Sequence, residues 1–534
     1  EEMLERAGLA LADEGAIVPA RRLETPVRRE RSCRTAVREA YTSGTTGACA
    51  PKAGPIVAPA AGRTEHQPLA CPPPSGGSTG MERQASERLR SASMRLGRAL
   101  LLALWASELV ALLTASATPA AVARPLLLAY GAVALLQVGP ASRRLALALA
   151  LPAVVLALVE GRPTLLLEGL DQALLYPAFL GTITLVRALA AVHPAVERAR
   201  ERTERLPNEA RALGFFLGGH LFGAVLTAGS FALLAPLADP RASEAERARL
   251  AAMALRGSCL AVLWSPFFVG MALVTRHFPE LALWRVTLLG LALSLLALLL
   301  TLATDARGAA RFLAPALAAL APLLPPVGGA AAAIVLVASL SGLPSLAAVL
   351  LVTPPAAALW LSTRPRGTAR AVASRTFELA GRLAEEMLLV GVVTVLGRVL
   401  AASSGTAHLA GPILAGALPG WLLLGGALAV IVLLAVLGLH PLATVAITMA
   451  LLTEGPPPVT PLALAGLGLL GWALGTMLGS TSLSLLVARN AFELPARALS
   501  PGPNGRFVLL FGALAVALLA LLDALGRPGA PTIP

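Results

Sequence analysis

The sequence predicts an all-α, polytopic transmembrane helical bundle organised around two broken-helix repeats, and three observations predict it. Hydrophobic residues make up 56% of the 534 positions and charged residues 14%, against roughly 25% charged in soluble domains. Mean hydropathy is +0.74, and runs such as "LALSLLALLLTLA" and "WLLLGGALAVIVLLAVLGL" approach or reach the length that crosses a bilayer. A soluble core of this size would need polar outer faces, which these segments lack. The third observation is that two apolar segments are interrupted by residues that free backbone groups: "CLAVLWSPFFVGMALV" (259–274) and "LGWALGTMLGSTSLSLLVARN" (470–490). A proline at 266 removes a donor and clashes with the preceding turn.

Residues 1–80 read differently from the rest. They are rich in Pro, Gly, Thr and Arg, hold Lys52, the only lysine, and show no sustained period of 2 or 3.6. The expectation is a disordered leader upstream of a natural start at Met81, where a short basic lead precedes the first span. The twin arginines at 21–22 and 28–29 lack a following apolar stretch, which argues against a secretion signal.

From Met81 the chain divides into a four-span region (81–195), repeat one (196–303), connecting spans with a basic loop (304–380), repeat two (381–526) and a tail (527–534). Spans are expected near 99–114, 120–139, 145–159 and 172–192, then 212–237, 251–274, 281–303, 312–325, 328–341 and 344–363. Further spans follow near 383–401, 420–439, 461–487 and 507–524, with 406–419 and 440–453 too short to cross and read as re-entrant or half spans. Arginines at 83–98, 143–144, 198–211 and 364–382 fall on one side of this arrangement, which the positive-inside rule makes cytoplasmic.

The net charge of +13 is almost wholly arginine and is scattered among short loops. It follows the positive-inside pattern and lacks the basic, aromatic-studded face that nucleic acid requires. Cys33, Cys49, Cys71 and Cys259 have no metal or disulfide spacing. With no lysine after Lys52, the membrane region contains neither a Walker A motif nor a lysine Schiff base.

Two broken spans in corresponding halves point to a secondary transporter's substrate site. Broken helices present unpaired N–H groups to an anion and freed carbonyls to a cation, and irregular backbone is tolerated at that depth only in protein or along a wet cavity. Laying Ser265 over Ser480 matches His220, 45 residues upstream of the first, with His440, 40 residues upstream of the second. The candidate substrate residues are therefore Trp264, Ser265 and Pro266 on one arm and Gly479, Ser480, Thr481 and Ser482 on the other. His220, His440, Arg256 and Arg398 are candidate proton or substrate contacts, because ionisable groups inside a membrane are functional by default. Glu385 and Glu386 open a span and are expected at the surface.

In layout, paired breaks and the hydroxyl cluster "GSTSLS", residues 205–525 resemble the ion transporter superfamily. That group includes the sodium–dicarboxylate symporters and the large permease subunits of TRAP carriers. In place of those symporters' Ser-Asn-Thr signature the chain carries Trp-Ser-Pro at 264–266 and Ser-Thr-Ser at 480–482. The resemblance implies secondary transport of a small organic or inorganic anion coupled to sodium ions or protons, two repeats of inverted topology, and no further cofactor. It further implies a bacterial inner-membrane location, a homodimer and, in its TRAP form, a periplasmic binding protein. A multi-span enzyme of glycan or lipid-linked chemistry is the rival class. Such enzymes need a large soluble loop, whereas the longest connectors here are about 20 residues.

Overall fold

The computed structural model describes residues 9–11, 17–19 and 78–526, apart from short gaps at 115–117, 239–240, 307, 406–407, 409–410, 412–417, 454–458, 496–497 and 501. The chain divides into two units, Glu1–Gly76 and Gly77–Pro534. Within the first, Leu9–Leu11 pairs antiparallel with Ile17–Pro19; otherwise the expected disordered leader lies outside the described residues. Within the second, every described element is helical.

The N-terminal region comprises α1 (Ser78–Thr114), α2 (Thr118–Gln137), α3 (Pro140–Val159), α4 (Thr164–Ala173) and α5 (Leu175–Val192). A basic helix, α6 (Pro194–Glu204), leads to α7 (Asn208–Leu226), the short α8 (Ser230–Leu234), α9 (Glu244–Leu260), α10 (Val269–Arg276) and α11 (Leu283–Thr304). Then come α12 (Leu313–Leu320), α13 (Leu324–Ser341), α14 (Ser345–Ser362) and the basic α15 (Arg366–Ala380). The last group is α16 (Ala384–Ala401), α17 (Gly420–Val436), α18 (Pro441–Leu452), α19 (Pro461–Leu478), α20 (Leu483–Ala491) and α21 (Gly502–Gly526). Eight helical stretches among the described residues are long and apolar enough to cross a membrane. Leu340, Val159 and Leu509 are 79%, 78% and 76% exposed, a surface that water would penalise and lipid accepts. The protein is a multi-pass membrane protein.

Close glycine contacts fix the directions of the helices. A Cβ on Gly219 would meet Ala254 O, one on Gly223 would meet Ser258, and Ala224 O accepts a bond from Ser265 Oγ at 2.7 Å. The positions rise together, so α7 and α9 run parallel, and the chain between them must return. It does so through a corner at Thr227 (φ +52°) and α8. The sequence reads 212–237 as a single span; the structure turns it back at Thr227. In the second half Gly471 faces Ile431 and Gly475 faces Ala435, so α17 and α19 are also parallel, with α18 as the return. Each half thus has the same plan: helix, corner, return, broken helix, closing helix.

The two halves run in opposite senses. Gly270 lies against Trp472 and Gly468 against Val274, so positions fall on α19 as they rise on α10. The closing helices agree, since Asn504 at the start of α21 meets Arg256, which also meets Asp305 just past the end of α11. The inversion follows from packing alone.

In this plan His220 lies inside α7, whereas His440 is the N-cap of α18 at the second corner. The positive-φ corner residues Thr227 and Gly438 correspond, so the counterpart of His440 is Gly229, the N-cap of α8, and the sequence pairing of His220 with His440 is corrected. The corner's backbone, which the sequence does not spell out, decides the match.

Tertiary contacts also gather the arginine-bearing connectors. Arg98 stacks over Phe377 at 4.9 Å, Ser142 Oγ donates to Glu385 Oε1 at 2.6 Å, and His193 stacks on Trp360 at 5.0 Å. These contacts place the middle of α1, the start of α3, the start of α6 and α15 at one end of the bundle.

Candidate functional site

Both corners and both breaks meet around one cavity of about 270 Å³. The first half contributes Thr227 at its corner and Phe267, Phe268 and Val269 at its break; the second half contributes His440 at its corner and Thr481, Ser482, Leu483 and Ser484 at its break. Ser258, Thr476 and Trp472 add wall between them. Arg187 comes from α5 in the N-terminal region, and Arg382, Glu385 and Glu386 come from the approach and first turn of α16.

Four helices of eight residues or more begin at this cavity: α10, α18 and α20, together with α16, whose first turn already carries Glu385 and Glu386. The positive ends of their dipoles therefore favour an anion there. At α18 the His440 Nδ1 accepts from Leu442 N at 3.2 Å, and at α20 Ser482 Oγ accepts from Leu485 N at 3.4 Å. No side chain caps α10, whose N-cap is Phe268, so its first N–H groups have no side-chain acceptor, and Phe268 and Val269 line the cavity. Arg187 stands inside the apolar stretch Thr164–Val192, and its Nε is buried without a hydrogen-bond partner among the described residues. Such a group is costly in a membrane and marks function by default.

Thr227 is the most strained part of the wall. A β-branched residue at φ +52° costs on the order of 1–3 kcal/mol. Ser230 Oγ at 2.8 Å and Ser258 Oγ at 3.3 Å both donate to its carbonyl and hold the corner closed.

The sequence-predicted residues divide into wall and frame. Thr481, Ser482 and His440 line the cavity, whereas Trp264, Ser265, Pro266, Gly479 and Ser480 do not. Ser265 is fully buried; its Oγ donates to Ala224 O and accepts from Phe267 N at 3.3 Å. It ties the break to α7 and orients Phe267, which does reach the cavity. Trp264 Nε1 donates to His220 Nε2 at 2.8 Å, and His220 Nδ1 meets Gly257 O at 3.2 Å. With Nε2 accepting, Nδ1 must be the protonated nitrogen. Both nitrogens are engaged, so His220 is a strut of the break rather than a free proton carrier.

Arg256 is also frame. It is 1% exposed and bonds Asp305 at 2.8 Å, Asn504 at 3.2 Å and Thr301 at 3.4 Å, with Phe507 stacked 4.0 Å beneath it. Arg398 pairs with Glu168 on α4 at 2.8 Å, fastening the N-terminal region to α16.

Sequence reasoning missed Arg187, Thr227 and Ser258; Glu385 is exposed and Glu386 half-buried, near the surface as expected, and both also reach the cavity wall. Arg187 had a legible signal, a lone arginine within "LGTITLVRALAAV". Thr227 had only the small residues that follow it. No protein-family model and no curated protein matches the chain.

Proposed function

We propose that the protein is a secondary active transporter of a small anion, coupled to sodium ions or protons. The observation that carries this reading is the convergence of two corners and two breaks, from oppositely directed halves, on one cavity that also holds Arg187. Opposed repeats around a shared site suit alternating access, because exchanging the conformations of the two halves moves the opening from one side to the other. The cavity's volume of about 270 Å³ is at the small end of ligand pockets, which favours a small solute. Uncapped N–H groups of α10 and the Arg187 guanidinium supply donors, and Thr227, Thr481 and Ser484 supply neutral hydrogen bonds. Glu386 carries no hydrogen bond or ion pair among the described residues, and with His440 it is the candidate proton carrier of the wall.

The cavity reaches Arg382, Glu385 and Glu386 beside the gathered arginines. Under the positive-inside rule that end is cytoplasmic in a bacterial inner membrane, so the conformation is inward-facing. The layout supports the reading of distant kinship with the ion transporter superfamily. In the TRAP-like form of that reading, the N-terminal region is the fused small subunit, and its Arg187 completes the site.

Reconstitution into proteoliposomes tests the proposal. An inward sodium or proton gradient should drive accumulation of small carboxylates or inorganic anions, and Arg187→Gln should reduce uptake at least tenfold at unchanged reconstitution efficiency. An Arg187→Gln protein that transports at the wild-type rate overturns the assigned site. Uptake indifferent to both gradients overturns the coupling.

A further inference from the structure

A second cavity, of about 210 Å³, lies between α5, α7, α13 and α14. Its wall is almost wholly apolar, with Phe222, Val225, Val327 and Val352 along its length and Thr353 and His193 as its polar members. A water-soluble ligand would find few partners to replace its hydration there. Leu189, Val225, Ala330 and Val352 are only half-buried and Ala356 is exposed, so the groove opens on the bundle's lipid-facing perimeter.

The rim of the groove has a different chemistry. Arg364 stacks over Trp360 at 4.8 Å, and His193 stacks on Trp360 at 5.0 Å with an interplanar angle of 27°. Arg198 lies one helical turn beyond His193, and its Nε donates to Pro194 O. Neither Arg198 nor Arg364 has a carboxylate partner among the described residues; neighbouring Glu197 is taken by Arg200 at 2.6 Å. Burial and then the charges of Arg364 and Arg198 hold the His193 imidazole below its ordinary pKa, so the two guanidiniums act on one place. An aromatic and two unpaired cations at the mouth of an apolar groove match the interface level of a bilayer.

The groove also abuts the transport cavity. Phe267, 3% exposed, lines both, and Leu226 of the groove precedes Thr227 of the cavity. Whatever fills the groove therefore packs on the back of the first break.

We infer that this groove binds one anionic phospholipid, with an acyl chain against Phe222, Val327 and Phe267 and the headgroup phosphate between Arg198 and Arg364. The site is independent of which solute the protein carries. Each arginine near an anionic headgroup favours binding by about fivefold, so two give a preference on the order of 20-fold.

The full chain, purified in mild detergent and offered equal phosphatidylglycerol and phosphatidylcholine, tests this by native mass spectrometry. The wild type should retain phosphatidylglycerol roughly 20-fold over phosphatidylcholine. Arg198→Ala with Arg364→Ala changes only exposed side chains and should bring that ratio to about 1. Ala330→Phe fills the groove and should lower retention of both lipids. Excess glycerol phosphate should leave retention unchanged; displacement by it would overturn the acyl-chain part and mark a soluble phosphate site. Equal retention of the two lipids by the wild type, or an undiminished preference in the double variant, overturns the proposal, and the double variant decides the matter if Ala330→Phe fails to fold.

Discussion

Replacing Arg256 with methionine separates frame from site more sharply than any other change. The guanidinium joins α9 to the end of α11 through Asp305 and to the start of α21 through Asn504, and it covers Phe507. Removing one member of a buried ion pair costs about 3–5 kcal/mol when the remaining charge stays buried. Asp305 is 36% exposed and can recover part of its hydration, which brings the ionic part down to about 2 kcal/mol. Loss of the cation–π contact adds about 1 kcal/mol, and the methionine returns part of that by packing on Phe507. The expected destabilisation is about 2–3 kcal/mol.

The assay is the thermal midpoint in detergent, followed in parallel with uptake at room temperature. A chain this long shifts by a few degrees at most per kcal/mol, so the midpoint should fall by roughly 3–6 °C, with uptake within about twofold of wild type per folded molecule. Adding Asp305→Asn should recover part of the loss, because it removes the orphaned carboxylate. A tenfold loss of uptake at an unchanged midpoint would refute the reasoning and make Arg256 a substrate ligand.

Three further outcomes follow from the same structure. Glu160 accepts from Ser403 Oγ, Ser404 N and Ser404 Oγ at 2.9, 2.7 and 2.9 Å, and these bonds hold its carboxyl below the usual range. That stabilisation is present above the ordinary carboxylate pKa of about 4.3 and is lost as pH falls through the lower folded value, so Glu160→Gln should flatten this part of the acid limb of a midpoint-versus-pH curve. A Cβ on Gly257 would come within 2.0 Å of Phe216 O; Gly257→Ala should therefore cost at least 1–3 kcal/mol and yield an aggregated or markedly less stable protein on size exclusion, and a wild-type profile would contradict the parallel packing of α7 and α9. Thr481 is on the cavity wall and Ser480 is off it, so Thr481→Val should lower uptake several-fold while Ser480→Ala stays within about twofold; the reverse order would place the solute on the other side of the break.

The architecture was legible in the sequence to the extent that apolar length and interruption encode it. The spans follow from composition, and the breaks follow from Trp264-Ser265-Pro266 and Gly479-Ser480, which cannot continue a helix without exposing backbone. The corners were only half legible. The second was marked by a short segment, 440–453, but the first is hidden inside a continuous apolar run, where Thr227 is held at positive φ by a local bond from Ser230 and a tertiary one from Ser258. Without the corner, two histidines offered themselves as the anchor of the repeat and gave the wrong pairing. Arg187 was overlooked for another reason. It belongs to a region that looks like an accessory in sequence, and only the docking of α2, α3 and α4 on α16 accompanies its arrival at the cavity.

A break in a membrane helix frees carbonyls on one side and N–H groups on the other, and the sequence marks only where the helix stops. The structure shows how the two sides are treated. At the first break, Ser265 N donates to Ala261 O at 3.0 Å, Ser265 Oγ binds Ala224 O, and Trp264 locks onto His220. The residues that look most like a binding motif are thus consumed in sealing the upstream half. The downstream half, beginning at Phe268, has no side-chain cap and is the part left facing the cavity. At the second break Gly479 N returns to Gly475 O at 2.7 Å while Ser482 caps α20, so the donors there are shared between protein and cavity. The breaks are therefore unequal despite the repeat: the first offers bare backbone charge, the second hydroxyls. An anion held between them would draw its electrostatic binding from α10 and Arg187 and its hydrogen-bond geometry from Thr481 and Ser484. On the proposed reading, that division lets the cavity favour a small anion while the residues that announce the break carry little of the recognisable chemistry.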